Sequence, residues 1–577
     1  MLLTCILGCY IRAGREPPYD GIKVTSENGA VPNSDTARRP GIPAPRRTLL
    51  IAGCALAIAA GAYRVTAPPG PGLDPDSMSY LGAARSLVAD GTLSIPVAPW
   101  WSDSTTQPLA HFPPGFSTVL AAPIALGVDA RLSARLVESA AAGLTIAMMM
   151  LALWPAAGAW GAVLGALAVA VSPAFVQVHL SVLSEPLFLA LVTLALWSFA
   201  RRPNSALLHG VIAAAATMVR YAGLSVAGAA GLWALRDASV PWRTRARRAV
   251  SAVAPSLLAM AAWSLSRERS PGHAESIRAF GFYGQWGPTL RQGASTVARS
   301  LAPSLEWDPV PWPAALLALM ALAALAWSAT RPTVAQVPDV PGHDEQCAAQ
   351  RTLLAAAGVI ALSYVGIVVA SRAFADPGIP FDFRLAVPLV PLAVASIAVT
   401  AARSWRVCSR PSRVAGMLAL SVWGTAASRA DFSLVHDALT DGSDFAAREW
   451  RESPTLAWAR AQEPSRVLYS NWPCAIWFHL DRPVRDLPDA TDAADAATMR
   501  NFVARVRAAH GAVVAWNEPS QDAAHTDSIV LHAGLVRVAT FDDGSVFEPA
   551  PLASTVAPPL PARPPSAPPV APPPARR

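Results

Sequence analysis

The sequence has little charge and almost no lysine. Only 15% of its 577 residues are charged, and Lys23 is the one lysine among 46 basic residues. Together with 53% hydrophobic residues and a positive mean hydropathy, this composition excludes a soluble globular protein and is typical of an integral membrane protein. The net charge of +7 is carried by arginine and has to be interpreted by position.

Cysteine is scarce as well. None of the six cysteines forms a CxxC pair, and only Cys474 lies in the polar region after residue 430. We therefore expect neither a disulfide framework nor a thiolate metal site. The sequence leaves the cofactor unknown, with a divalent cation as the one candidate considered, and we expect no nucleic-acid partner.

Both ends of the chain lack the hydrophobic residues needed for a folded core. Residues 1–47 are polar and rich in Pro and Arg after an apolar start that is too short to span a bilayer. We interpret them as a disordered cytoplasmic tail, or in part as an upstream mis-start. Residues 551–577 are Pro/Ala low-complexity sequence and are predicted to be disordered.

Between these tails, long hydrophobic runs recur. A membrane-spanning helix needs about 20 apolar residues, and by this criterion the sequence predicts eleven spans: 48–66, 132–153, 157–176, 185–200, 205–219, 222–236, 248–266, 313–330, 352–371, 384–402 and 412–429. Many contain Ala and Gly, which favour close helix packing in lipid. The predicted fold class is an α-helical integral membrane protein, with a transmembrane domain at 48–430.

Arginine placement orients these spans, because short cytoplasmic loops carry the excess positive charge. With the N-terminus inside, the following arginine-rich segments are all cytoplasmic: 38–47, 201–202, 236–248 and 403–413. The loop 67–130 and everything after about residue 430 are then external, in a multi-pass protein of the cytoplasmic membrane. The spans 205–219 and 222–236 are short, and their merger would invert the topology downstream.

The region 431–550 differs in character from the spans. Charged residues and Trp become more frequent, and short strand-like runs appear at 466–470, 512–516 and 534–541, with helical spacing at 494–510. We therefore predict a small α/β domain on the external membrane face.

The first external loop is far longer than a connection needs, and long ordered loops are usually functional. It begins with Asp74 and Asp76, and the apolar spacing that follows predicts an amphipathic interfacial helix over 76–90, with Asp76 as its N-cap. Two carboxylates at the bilayer edge suggest chemistry on a substrate that lipid can deliver. The alternative is that Asp76 only caps the helix.

Glu185 is a second acid on the same predicted side. It begins the span 185–200 within 184-SEP-186, and a carboxylate there has to face the protein interior or an aqueous cavity. The alternative is an acid stabilised by the dipole at a helix N-terminus. The occurrence of Asp76 and Glu185 on one side favours a shared site.

These elements together resemble the GT-C superfamily of glycosyltransferases that use polyprenyl-phosphate sugars. The branch they resemble is the bacterial one, related to protein O-mannosyltransferases and lipid A aminoarabinose transferases. The resemblance covers roughly residues 48–430 and rests on an ordered set of elements: Asp76-Ser77, Tyr80, 84-ARSLVADG-91, 113-PPG-115 and 184-SEP-186.

The resemblance implies that the first-loop acid is catalytic, which is Asp76 here, with Asp74 as a partner and Glu185 as a second carboxylate near the site. Mannosyltransferase relatives have Asp-Glu where this chain has Asp76-Ser77. This departure weakens any carry-over of the acceptor or of a metal.

The residues themselves suit this chemistry. An acceptor hydroxyl must lose a proton, for which Asp76 is the candidate general base, and a leaving phosphate favours arginine. The candidate substrate-binding residues are Tyr80, His111, Arg220 and Arg384, and of the arginines we expect Arg384, more than Arg372, to bind the donor phosphate. Alternatively each arginine only snorkels to the interface, and His111 is only solvated.

We therefore expect a hexosyl- or pentosyltransferase that moves a sugar from a polyprenyl-phosphate carrier to a glycan, lipid or protein acceptor, in contact with membrane lipids. One rival is a lipid-linked sugar transporter, which would show internal repeats and charges at mid-membrane. The other is a non-catalytic assembly protein, which would keep the spans without needing the acids.

Overall fold

The structure is a computed structural model that describes residues 44–268, 281–284, 286–301, 343–375, 379, 382–517 and 534–550. Contacts along the chain group Thr48–Arg577 into one compact unit. The span predicted at 313–330, the tail at 551–577 and nearly all of the tail at 1–47 lie outside the described residues.

Helices make up most of the described chain, which confirms the predicted helical class. The helices up to residue 440 are Ala44–Val65, Pro75–Asp90, Gly115–Ala125, Ala130–Ala170, Pro173–Val178, Glu185–Arg201, Ala206–Val219, Leu224–Leu235, Trp242–Glu268, Trp286–Leu301, His343–Phe374, Phe383–Ala386, Leu389–Val407 and Arg410–Thr440, with a 3₁₀ turn at Tyr221–Gly223. Each predicted span within the described residues overlaps one or more of these helices.

Two predicted boundaries have a local cause. The spans predicted at 132–153 and 157–176 meet inside Ala130–Ala170, where Gly158 has φ 73° and Pro155 removes a backbone donor. The span predicted at 384–402 is interrupted after Ala386 and continues from Leu389. Pro388 lies at this interruption, and a proline cannot donate the amide hydrogen bond of a continuous helix.

Four of the described helices are long and apolar enough to cross a membrane: Ala44–Val65, Ala130–Ala170, Trp242–Ser266 and Asp344–Phe374. Their burial differs in an informative way, since 61% of the apolar stretch of Ala130–Ala170 is inside the protein but only 6% of that of Ala44–Val65. An apolar helix with so little protein around it is stable when lipid surrounds it. The chain is a multi-pass membrane protein.

A six-stranded mixed sheet contains the strands of the C-terminal region. In spatial order its strands are Val97–Ala98, Val484–Asp486, Leu468–Ser470, Ala512–Trp516, Gly544–Pro549 and Leu535–Thr540. The first four are parallel to one another and the last two pair antiparallel. The shorter helices nearby are Arg448–Arg451, Pro454–Arg460, Pro473–Leu480, Ala490–Ala494 and Ala496–Ala508.

Strands occur at all three predicted positions and a helix lies within the predicted 494–510. The edge strand Val97–Ala98 was not expected, because it comes from the first long loop and pairs with Val484–Asp486. That loop forms a second, two-stranded pairing of its own between Ser94–Ile95 and Gln107–Pro108. A separate, external domain at 431–550 stays a prediction.

The first-loop helix, Pro75–Asp90, is joined to the sheet by the helix Pro473–Leu480. Arg85 forms an ion pair of 2.5 Å with Asp481, and its guanidinium lies 5.2 Å from the centre of the Trp477 ring. These contacts join the first loop to the sheet region, although Arg85 and Asp481 are almost 400 residues apart in sequence.

Candidate active site

The first-loop helix begins with a capping box. The Asp74 carboxylate accepts the N–H of Asp76 at 3.0 Å, and the Ser77 hydroxyl accepts the N–H of Asp74 at 2.9 Å. The prediction that Asp76 is the N-cap was therefore wrong by two residues. Pro75 is the physical reason, because its fixed φ suits the first position of a helix and moves the cap to the residue before it. Capping thus occupies Asp74 and leaves the Asp76 side chain for other partners.

The same helix is fastened to the segment before Glu185, Leu180–Ser184, which we call the docking segment. Ser77 Oγ donates to the carbonyl of Val182 at 2.8 Å, and Tyr80 Oη is hydrogen bonded to Ser184 Oγ at 3.0 Å. Tyr80 is buried, with its ring 4.9 Å from Phe112 and 5.0 Å from Phe116. Tyr80 therefore supports Ser184, and its contact with a substrate stays a prediction.

Arg384 joins the two predicted acids. Its Nη2 lies 2.5 Å from Asp76 Oδ2, its Nε lies 2.5 Å from Glu185 Oε1, and its Nη1 lies 3.8 Å from Asp74 Oδ2. The structure thus brings together residues that are separated by about 200 and about 300 positions in sequence. One guanidinium neutralises carboxylates on both sides of the site.

Arg220 is the second cation of this cluster. Its Nη1 lies 2.6 Å from Glu185 Oε1 and donates to Ser184 Oγ at 3.0 Å. Glu185 is only 1% exposed, and a buried carboxylate needs such partners because an unpaired one would be very costly. We call the set Asp74, Asp76, Glu185, Arg220 and Arg384 the charged cluster.

Two acids of the charged cluster, Asp74 and Asp76, are partly exposed, whereas Glu185 is buried. Asp74 and Asp76 are half-buried, with 28% and 24% of their side chains exposed. Burial and the neighbouring Asp76 carboxylate raise the pKa of Asp74 to about 6. The described residues contain no group of three or more His, Cys, Asp and Glu placed to hold a metal ion.

Two further predicted residues lie outside this cluster. His111 is exposed and its ring lies edge-on to Phe112 at 4.7 Å. Arg372 donates to Gln292 Oε1 at 2.7 Å. Asp382 caps the short helix of Arg384, since its carboxylate accepts the Arg384 N–H at 2.9 Å.

The motif 113-PPG-115 has a packing explanation. A Cβ at Gly115 would lie 2.5 Å from the carbonyl oxygen of Met218 and 2.7 Å from its carbonyl carbon. Only glycine allows the backbone to come this close to the chain just before Arg220. The motif therefore helps to set where Arg220 enters the charged cluster.

Sequence reasoning missed two contributors. Asp444 accepts a 2.6 Å hydrogen bond from Ser181, and the next residue, Phe445, donates its N–H to Leu73 at 3.1 Å. Glu138 accepts the N–H of Leu183. An acid inside a predicted span is costly and is a signal that could have singled out Glu138, whereas nothing in the local sequence distinguishes Asp444.

No family model matches the chain, and no curated protein matches it. Among solved structures, ArnT from Cupriavidus metallidurans bound to undecaprenyl phosphate matches with a TM-score of 0.52 and 15% identity, over 88% of this chain and 98% of ArnT. The chain has the fold of ArnT. Apo ArnT, with a TM-score of 0.44, and the arabinofuranosyltransferase AftD from Mycobacteria, with 0.42 over 42% of AftD, also match at 15% identity.

This match confirms the fold that the resemblance to the GT-C superfamily implied. Within this fold, the first-loop helix and the short helix that carries Arg384 pack so that Asp76 contacts Arg384. At 15% identity the match shows the fold alone. The roles of individual side chains therefore depend on the contacts within this chain.

Proposed function

We propose that the protein is a membrane glycosyltransferase that moves a sugar from a polyprenyl-phosphate donor to an acceptor of the cell envelope. The observation that carries this proposal is the position of Arg384 between Asp76 and Glu185. It puts a candidate base and a candidate phosphate ligand within one contact of each other. The fold supports the donor class, because ArnT with this fold was solved with undecaprenyl phosphate bound.

The reaction exchanges two bonds at the anomeric carbon of the sugar. The bond to the phosphate oxygen breaks and its electron pair leaves with the polyprenyl phosphate, while the acceptor hydroxyl oxygen bonds to that carbon. Asp76 takes the proton of the hydroxyl as general base. Arg384 and Arg220 stabilise the leaving phosphate, whose negative charge suits guanidinium donors.

Arg384 links the two halves of this reaction. Its contact with Asp76 engages that carboxylate in an ion pair. A donor phosphate competes with Asp76 for the same guanidinium, so donor binding releases the carboxylate from this contact and lets it reach the acceptor hydroxyl. Glu185, buried and in contact with both arginines, keeps them in place during the exchange.

The remaining roles follow the sequence analysis. Asp74 is the partner acid, and Tyr80 and His111 border the substrate. The charged cluster lies at the external face of the cytoplasmic membrane, in a protein with eleven spans, a cytoplasmic N-terminus and an external α/β domain at 431–550. The sugar is a hexose or pentose, and the acceptor is a glycan, a lipid or a protein. Neither the transporter nor the assembly-protein alternative gains support from the described residues.

A transfer assay with purified protein and polyprenyl-phosphate sugars tests the function. We expect Asp76→Asn to lower kcat at least about 100-fold, because the amide keeps the size of the side chain but cannot accept the proton. Folding should be unaffected, since Asp74 rather than Asp76 caps the helix.

Asp103→Asn is the matched control, because Asp103 lies in the same loop and is almost fully exposed. It should turn over like the wild type. Wild-type turnover in Asp76→Asn would exclude Asp76 as the base, and absence of transfer from every polyprenyl-phosphate sugar by the wild type would refute the donor class.

A further inference from the structure

Glu138 is a buried acid that the proposed reaction does not use. It lies on the helix Ala130–Ala170 and is 2% exposed. Its Oε1 accepts the N–H of Leu183 at 2.8 Å, while its Oε2 has no hydrogen-bond partner among the described residues. A half-satisfied carboxyl group inside a membrane protein is costly. Folding stability alone therefore does not account for an acid at this position.

The partner of Glu138 belongs to the docking segment. On one side, this segment is held by the chain that leads into the first-loop helix: Gly72 donates its N–H to Leu180 at 2.8 Å, and Val182 donates its N–H to Gly72 at 2.9 Å. Ser77 adds its hydroxyl contact to the Val182 carbonyl.

Val182 uses its backbone N–H toward Gly72 and its carbonyl toward Ser77, whereas the N–H of the next residue, Leu183, is directed to a different element. Glu138 meets this N–H from the Ala130–Ala170 side. The docking segment is thus hydrogen bonded both to the chain that leads into the first-loop helix and to the helix Ala130–Ala170, immediately before Ser184 and Glu185.

We infer that Glu138 is a positioning residue for the charged cluster. It contacts neither Arg220 nor Arg384 in the hydrogen bonds and ion pairs of the described residues, and it acts through Leu183 on the two residues that follow. Ser184 and Glu185 in turn orient both arginines. The contact itself is independent of the proposed function, whereas its effect on a lipid phosphate rests on that function.

Hydrogen exchange of the Leu183 amide tests the contact in the full-length protein. In Glu138→Leu we expect this amide to exchange at least about tenfold faster, because a buried donor loses its partner. Glu138→Gln keeps an acceptor oxygen at the same place and should exchange like the wild type. Thr145→Val is the matched control, since Thr145 is buried on the same helix and bonds only within it, to Ala141.

If Glu138→Leu does not fold, Glu138→Met replaces it, because a flexible thioether fills the same space without an acceptor. Unchanged exchange in the apolar variant, or equally fast exchange in Glu138→Gln, would overturn the assignment.

Binding of polyprenyl phosphate tests the consequence. We expect Glu138→Leu to weaken binding at least about fivefold, as for a lost orienting contact, with Glu138→Gln and Thr145→Val close to the wild type. Faster exchange with unchanged lipid binding would make Glu138 merely structural and overturn the positioning role. If the wild type binds no polyprenyl phosphate, the proposed function fails while the exchange measurement still decides the contact.

Discussion

Arg384 contacts carboxylates from two distant parts of the chain, and this is why its loss should be more harmful than that of a surface arginine. We expect Arg384→Ala to lower kcat/KM for the lipid donor. The loss of transition-state stabilisation should be about 2 to 4 kcal/mol, in the range of a charge-assisted contact in a sheltered site. Arg384→Lys should recover only part, because an ammonium cannot contact Asp76 and Glu185 with separate nitrogens.

Arg372→Ala is the control for this substitution. Arg372 is an arginine at a span end that the sequence alone made a competitor, and it donates to Gln292. Steady-state kinetics with varied donor should show it close to the wild type. A larger loss in Arg220→Ala than in Arg384→Ala would move the phosphate site to Arg220.

Asp74 gives the protein a pH dependence of stability whose sign can be stated. Its pKa of about 6 is above the ordinary value, because burial and Asp76 disfavour its charge more than Arg384 favours it, and Asp444 adds to the repulsion. Between about pH 4 and pH 6 the folded state therefore holds more protons than the unfolded state, and stability falls as pH rises through this window.

Asp74→Asn should remove that fall, since an asparagine still caps the helix but carries no charge. Thermal unfolding of both proteins between pH 4 and pH 7 measures the difference, which can reach about 1.4 kcal/mol per pH unit for one proton. Equal slopes in the two proteins would mean that Asp74 does not titrate in this range.

Span ends were the part of the site that the sequence could locate. Glu185, Arg220 and Arg384 were all predicted to lie at outer span ends, where charge counting and helix length constrain position. The direct Arg384–Asp76 contact was not predictable, because it depends on how helices far apart in sequence pack. The roles of Ser184, Asp444 and Glu138 arise from the same packing.

At the level of elements, glycines mark where helices approach one another. The added Cβ of Gly115→Ala would clash with the backbone of Met218, which can move only at a high energetic cost. The clash should therefore shift the chain at Met218 and, with it, Arg220. We expect a lower melting temperature and a loss of kcat/KM of at least about tenfold, as when a reacting geometry is shifted by about 1 Å.

Gly366→Ala is the matched control, because a Cβ at this helical glycine would meet nothing within 4 Å. It should be neutral or slightly stabilising, since alanine favours helix. A normal melting temperature and normal kinetics in Gly115→Ala would show that the 113-PPG-115 turn does not constrain Arg220.

Elements were predictable where their pattern is long. Apolar runs of 20 residues identify the helices, but strands of two or three residues such as Val97–Ala98 and Val484–Asp486 are too short for a period to appear. The cap at Asp74 was missed for a different reason, because two acids and a proline within three residues allow more than one start and only tertiary contacts select between them.

At the scale of the whole molecule, the structure adds a constraint that hydropathy lacks. Arg85 and Asp481 form an ion pair, and Val97–Ala98 is a strand of the sheet that contains Val484–Asp486. The first loop and the C-terminal sheet must therefore lie on the same side of the membrane, whichever side that is. Counting arginines assigns a side of the membrane to each of these two regions independently. It was therefore not guaranteed that both would be predicted on the same side.

This constraint sharpens the topology prediction. A reporter that is active only outside should work when inserted after Ser104 or fused after residue 440, and should fail near residue 245 or residue 407, where arginine-rich segments are predicted to be cytoplasmic. Activity at 245 would mean a miscounted span before that point, while activity at only one of 104 and 440 would contradict the pairing of the loop with the sheet. If both are silent and 245 is active, the orientation is inverted but the pairing stands, and the charged cluster would then face the cytoplasm together with the sheet.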